Sequence, residues 1–433
     1  MPHNRMMSCL LAVLLCCAGR SHAENWPSWR GPQGNGVSSE SDLPVEWGPD
    51  RNVAWKLALP GPAGATPVVW GEQVFLTSVT ESGDLLLIAV GTDGRIQWTQ
   101  QVSSGNMTAR GDEGNSASPS PVTDGKHIWT FMGDGTLACY TVGGEEIWKF
   151  NVQDRYGRFR IQFGMSSTPV LDAGTLYLQL IHGDGDPETR EAVVVAIDGA
   201  TGKEVWKVDR PSDAERENEH SYASPVLYSD GETRLLLTHG ADFIVAHDLK
   251  NGSEVWRSGG LNRRDDAVLP YDPTLRFVAS PGVAPGIIVA PSAKRHPVLA
   301  IRPGGRGDVT GDADRQMWSW KRTPDVPSPL IHEGLVYLCM ENGNLTVLEQ
   351  ESGEEVYSMA THRQRHRASP VLAGGRLYLT ARDGRVTVVK AGREFKILAE
   401  NELGEDQAAS PAVSGGTIYL RTFGHLWAIR SGK

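Results

Sequence analysis

The sequence predicts an all-β fold: an eight-bladed β-propeller of four-stranded antiparallel blades, closed by an N-terminal strand. Three observations carry this: a phrase repeated along the chain, a four-strand grammar within each repeat, and a strand displaced from one end to the other. The phrase is Ala-Ser-Pro-Val, followed by a Gly turn and an aliphatic-Tyr-Leu strand. Its plainest copies are residues 223–226, 368–371 with 377–379, and 409–412 with 418–420. Degenerate copies start at Thr66, Ser120, Thr168, Ser280 and Ser328. Spacings of about 41 to 56 residues belong to propellers and solenoids, whose units pack only on their neighbours.

Residues 167–206 show the grammar of one unit. A short strand (168–171), a turn with Gly174 and a strand of half-buried-sheet composition (176–180) come first. A polar loop then precedes a nearly continuous apolar strand (192–197), and a turn (198–203) leads into Glu204-Val205-Trp206. Four short strands joined by turns make one blade. The hairpin 198–206 recurs at 248–256, and more loosely at 91–98, 143–148 and 349–357. Its Gly supplies a φ > 0 turn position, and its aromatic is expected to plug the gap to the next blade. Trp55, Trp98, Trp148, Trp206, Trp256 and Trp320 are the expected docking aromatics.

The last unit ends after Trp427-Ala428-Ile429 without a fourth strand, whereas residues 52–57 read as such a strand with no blade before it. Pairing them closes the ring and removes open sheet edges. A seven-bladed ring is the alternative, because the fifth unit is the most degenerate. Residues 24–51 read as an extended arm across the propeller, with Trp26 and Trp29 buried in a groove between blades.

Residues 1–23 have the pattern of an export signal: Arg5, an apolar core over 10–17, and Ser21-His22-Ala23 before Glu24. Leu15 stands where a lipoprotein signal wants a small residue before Cys16, so a lipid anchor is not expected. No later stretch approaches the roughly 20 apolar residues of a spanning helix. The expectation is an exported protein, periplasmic or extracellular. The formal net charge of -10 disfavours general nucleic-acid binding, which needs basic surface. Signal removal leaves Cys139 and Cys339, about four blades apart, expected as free buried thiols.

Residues 196–206, Ala-Ile-Asp-Gly-Ala-Thr-Gly-Lys-Glu-Val-Trp, resemble the tryptophan-docking motif of the PQQ-like propeller repeat. That motif is shared by quinoprotein alcohol dehydrogenases and by outer-membrane assembly proteins of the BamB type. The resemblance extends over residues 52–430. Residues 25–32, 306–310 and 324–329 look like segments of a group of secreted bacterial proteins with this repeat. The repeat is specific for fold and weak for activity. Quinoprotein dehydrogenases of this type often carry adjacent cysteines against the cofactor, and none remain here after signal removal. Their calcium ligands and catalytic Asp cannot be placed residue by residue.

Chemistry must therefore sit between the repeats. Loops joining successive blades share one face with the loops joining each blade's second and third strands. Mapping them gives His182, His220, Tyr222, His239, His296, His362, Arg363, Arg365, His366, Arg367, Arg382 and His425 as candidates for a ligand or partner face. Arg110, Asp112, Glu113, Asp184 and Asp186 join them. Histidine is both a near-neutral acid/base and a metal ligand, yet exposed loops are polar anyway. The basic stretch 362–367 could receive a carboxylate or phosphate through Arg forks, or form a solvated rim beside Glu402, Glu405 and Asp406. Asp308, Asp312 and Asp314 superficially suggest calcium but lack the alternating ligand pattern of an EF-hand loop. No nucleophile elbow, zinc motif or phosphate-cradling loop occurs. The sequence favours a non-catalytic, monomeric propeller binding an envelope protein or peptide, with no cofactor and no metal. A quinoprotein-like oxidoreductase, with PQQ and calcium over the central channel, is the alternative.

Overall fold

The structure, a computed structural model, describes residues 23–109, 114–183, 192–263 and 269–432. Eight sheets stand in a ring. The first seven blades follow one another along the chain over residues 68–104, 122–151, 170–209, 226–258, 282–320, 330–360 and 371–402. The eighth takes Ala412–Ser414, Thr417–Arg421 and His425–Arg430 from the end of the chain. Its outer strand is Val53–Ala58, antiparallel to the last, with Trp55 opposite Ala428 and Leu57 opposite Leu426. The displaced strand thus closes an eight-bladed ring. No described helix is long and apolar enough to cross a membrane.

Five of the eight joints between blades reuse a Gly-Trp pair: Trp55, Trp98, Trp148, Trp206 and Trp318 lie on Gly94, Gly144, Gly202, Gly252 and Gly353. A Cβ added at Gly202 (φ 67°) would lie 2.8 Å from the Trp148 ring of the preceding blade, so only glycine lets that indole lie flat on the turn. The Trp148 Nε1–H also donates to the Gly199 carbonyl of the same turn at 2.9 Å. Trp55, Trp98 and Trp206 repeat the arrangement, donating to Thr92, Val142 and Leu249 at 2.8, 3.0 and 3.1 Å. In the fifth blade the docking residue is Trp318, not Trp320. Trp318 lies opposite Ala300, as Trp206 lies opposite Ala196, and donates to Gln350 at 2.8 Å. The bulge that follows this pair in each blade fixes which aromatic faces the joint, and two tryptophans two residues apart concealed the choice.

The fifth unit is degenerate because it carries an insertion. Gly307–Asp308 leaves its own blade and pairs in parallel with Glu254–Ser258, giving the fourth blade a fifth strand. Trp256, fully buried, packs in one cluster with Val309 of that insertion instead of against a glycine turn. Asp308 and Asp312 accept from the amides of Thr310 and Asp314, so they build turns. Among the described residues no group of three or more His, Cys, Asp or Glu is placed to hold a metal ion.

The arm does more than lie in a groove. Trp26 is fully buried and bridges Val69 of the first blade through two backbone bonds of 2.8 Å. The chain then crosses the channel: Pro27 accepts from Thr123 N, the Arg30 guanidinium donates to the Pro329 carbonyl at 2.9 Å, and Val37–Ser38 pairs with Val371–Ala373. Glu24 clasps the two ends of this loop, accepting from Ser38 Oγ at 2.5 Å and Ser39 N at 2.9 Å. Trp29 therefore stands in the channel, not between blades. Farther along, Asn401 Oδ1 accepts from Trp47 N at 2.8 Å, and Trp47 stacks on Tyr378 at 6.3 Å. Ala399 occupies the seventh blade's docking position, so the arm fills the space that an indole fills elsewhere.

Cys139 and Cys339 are free and buried in the second and sixth blades, where burial pushes both thiols up to about 12. At pH 7 they are protonated and inert.

Candidate functional site: the hydroxyl belt and central funnel

The serine of the repeated phrase has a role that its recurrence alone did not reveal. Each sits before a proline at the start of an inner strand, facing the channel. Thr66 N donates to Ser120 Oγ, Ser120 N to Thr168 Oγ1, Thr168 N to Ser224 Oγ, and Ser224 N to Ser280 Oγ. Ser280 N continues to Ser328 Oγ, Ser328 N to Ser369 Oγ, and Ser369 N to Ser410 Oγ. All seven bonds measure 2.8–3.0 Å. A belt of side-chain hydroxyls thus satisfies one buried amide per blade. The eighth step is not made, and Thr66 Oγ1 is buried without a partner among the described residues. Arg421 holds that joint instead, donating from the eighth blade to the carbonyls of Gly61 and Ala63.

Above the belt opens a cavity of about 380 Å³, lined in part by Ser120, Thr168, Ser224, Ser280, Ser369 and Ser410. Trp29 lines both this funnel and a second cavity of about 260 Å³ beneath it, so the arm forms the partition between them. Phe163, Tyr222 and Val326 contribute apolar wall. The charged wall groups are Arg276, Lys294, Arg365, Arg367, Asp325 and Glu341. Arg365 and Arg367 approach Glu341 at 3.6 and 3.3 Å. Burial pushes the Glu341 carboxyl up, Arg367 opposes this, and neighbouring Asp325 adds to it.

Of the twelve face candidates, Tyr222, Arg365 and Arg367 line the funnel, and no histidine does. His239 is fully buried between blades, its Nε2 at 2.6 Å from the Pro291 carbonyl, and burial lowers it to about 3. Burial likewise lowers His220 to about 4, with His182 adding to the effect. His182 Nδ1 lies against its neighbour's carbonyl, Gly183 O, at 3.1 Å. His366 is buried against the Gln364 carbonyl, and His296 is buried as well. His362 and His425 are held by Asp383 and Glu405 at 2.7 and 2.8 Å. Arg382 pairs with Asp406 at 2.9 Å and lies over Phe423, while Arg363 remains exposed. Loop position does not determine burial, which depends on residues from neighbouring blades. Arg110, Asp112, Glu113, Asp184 and Asp186 lie outside the described residues.

Missing from the sequence-derived set were Arg276, Asp325 and Trp29; only the arm's two tryptophans gave any signal. Lys294 and Glu341 sit on mid-blade loops of the fifth and sixth blades. Lys294 Nζ reaches Asp272 Oδ2 at 2.8 Å. Burial tends to raise Asp272, but Lys294 and Thr274 outweigh it and bring the carboxyl to about 2. A depressed carboxyl contributes stability above its unfolded pKa, near 3.8, and loses it as pH falls through about 2. The expected titration midpoint of Asp272 by carboxyl NMR is therefore near 2. Lys294→Met should return it toward the ordinary value, and an unmoved midpoint would remove Lys294 as its partner.

The sequence matches the family model described as outer membrane protein assembly factor BamB over residues 108–268 and 241–433. No match to a curated protein was found at the sequence level. Among solved structures, BamB from Moraxella catarrhalis superposes with a TM-score of 0.60 at 14% identity, covering 87% of this chain and 99% of the other. A europium-containing methanol dehydrogenase gives 0.66 at 12% identity, covering 93% and 90%. The quinohemoprotein alcohol dehydrogenase of Comamonas testosteroni gives 0.63 at 14%, covering 94% and 81%. At such identities the likeness is one of fold, spanning an assembly factor and dehydrogenases alike. With the family model covering most of the ring, the chain belongs to the BamB-type family of PQQ-like β-propellers.

Proposed function

We propose that the protein is an exported, non-catalytic propeller that binds a protein or peptide partner of the cell envelope on its loop face, acting as a monomer. The observation that carries this is the state of the loop-face acid/base groups. His239 and His366 are buried against backbone carbonyls, and His362 and His425 are engaged by carboxylates. None faces the funnel, so the cavity recognises more readily than it transfers protons. The signal-like pattern of residues 1–23 supports export.

The alternative places a quinone with calcium in the funnel. Calcium requires a cradle of six to eight oxygens. Of the two carboxylates lining the cavity, Glu341 lies against Arg365 and Arg367, and Asp325 accepts from the Lys294 amide. Two carboxylates, one held by arginines and one by a backbone amide, fall short of that oxygen cradle among the described residues and do not fit the group. The test is addition of PQQ and calcium to purified protein, followed by absorption spectra and dye-linked alcohol oxidation. No binding and no turnover are expected; turnover would overturn the binding reading.

A further inference from the structure

We infer that the central funnel receives a segment of the partner polypeptide bearing clustered carboxylates, which deepens and rests on the binding function proposed above. The argument starts at the belt. Each belt hydroxyl from Ser120 to Ser410 uses its oxygen to accept an amide of the preceding blade. Its O–H is then left to donate, and no acceptor for it occurs among the described residues. Six of these belt residues line the cavity, so its floor carries a ring of O–H donors, each oxygen keeping one further lone pair. A floor of donors selects a ligand rich in acceptors.

The wall adds cationic nitrogens, two of which have their carboxylate partners outside the lining. Among the described residues, lining cations outnumber lining carboxylates four to two, in a chain whose formal net charge is -10. Glu217 and Asp272 lie outside the lining and brace Arg276 and Lys294 at 3.5 and 2.8 Å, which keeps those side chains in place. The Glu341 carboxyl is itself held toward its protonated form, which weakens the negative part of the wall. Acidic surface elsewhere repels an acidic segment, so the funnel is where such a segment can settle. The volume, about 380 Å³, falls in the range of ligand pockets and admits side chains of an extended segment, not a folded domain. Phe163 and Tyr222 offer apolar wall for the methylenes of glutamate side chains.

The experiment is calorimetric titration of the full exported chain with capped tetraglutamate, tetraglutamine and tetralysine peptides, and with citrate. Tetraglutamate should bind at least about tenfold more tightly than the other peptides, since only its carboxylates form charge-assisted hydrogen bonds with the floor and the wall cations. It should also exceed citrate. The variant Arg276→Met/Lys294→Met should lose at least about tenfold in tetraglutamate affinity while keeping a cooperative melting transition, lowered by the loss of the Asp272 and Glu217 pairs. Lys149→Ala, on a blade edge, should not. If the double variant fails to fold, the comparison of glutamate with glutamine peptides on the natural chain decides alone. Equal binding of the two peptides overturns the inference, and so does tetraglutamate binding indifferent to the double variant. Citrate binding more tightly than the peptide overturns a polypeptide occupant. An envelope partner captured equally by the natural chain and the variant sinks the funnel site while leaving the binding function standing.

Discussion

Deleting residues 52–57 is expected to produce one of the two largest losses of stability available in this protein. Those residues are the outer strand of the eighth blade, paired with His425–Arg430, and they carry Trp55 onto the glycine turn of the first blade. Without them the eighth blade has an open edge and the first blade loses its neighbour's indole. Trp55 is partly buried, so its removal alone costs toward the lower end of the about 3–5 kcal/mol of a large core aromatic, and the lost strand pairing adds to this. The unfolding entropy of about 2.1 cal/mol/K per residue, over roughly 380 residues, is about 0.8 kcal/mol/K, so a loss of about 5 kcal/mol lowers Tm by about 6 °C. The deletion should do at least this, and Trp55→Ala alone somewhat less, both read by calorimetry. A deletion variant that melts with the natural protein would remove residues 52–57 from the closure.

Why this latch was legible in the sequence, and the funnel was not, follows from how each is built. The latch is a repeated pattern with one copy out of place: residues 52–57 look like the fourth strand of any other blade. Blade cores are equally legible, because alternating apolar strands and glycine turns recur in every unit. The funnel wall has no period. Arg276, Lys294, Asp325 and Glu341 come from different loops of different length, and only the closed ring brings them to one cavity. The buried histidines misled for the same reason. His239 sits next to a mid-blade turn, as an exposed residue would, yet Phe277 and Pro291 from the following blade cover it.

The belt is an intermediate case. Every one of its serines and threonines was visible, each before a proline, but the repetition was credited to strand building alone. Proline has no amide to offer, so the residue before it carries the inner strand's first donor. A short side chain with an oxygen at that position in all eight units signals a partner for the next blade's donor. That reading was available from the residues themselves. It also explains why the phrase tolerates exchange of Ser and Thr at Thr66 and Thr168 while its remaining letters drift.

The second large effect is expected at the one joint the belt does not span. Arg421 is fully buried, and burial lowers its guanidinium to about 9, with Glu405 opposing the shift. It binds Gly61 and Ala63 through two of its nitrogens, while Nε has no partner. Arg421→Ala leaves those two carbonyls without donors and a cavity the size of the side chain, a loss of about 3–5 kcal/mol. Arg421→Met fills much of the space without the charge, so it should cost less, since desolvating a cation offsets part of what its bonds contribute. The decisive measurement is the pair. Arg421 is the inner clasp of the joint between the eighth and first blades, and Trp55 is the outer clasp of the same joint. If the joint opens as a unit, losing either clasp releases most of what the other secures. Trp55→Ala with Arg421→Ala should then cost less than the sum of the single losses, by about 1 kcal/mol or more. Strict additivity would mean that the two contacts act independently and that the ring has no single closing joint.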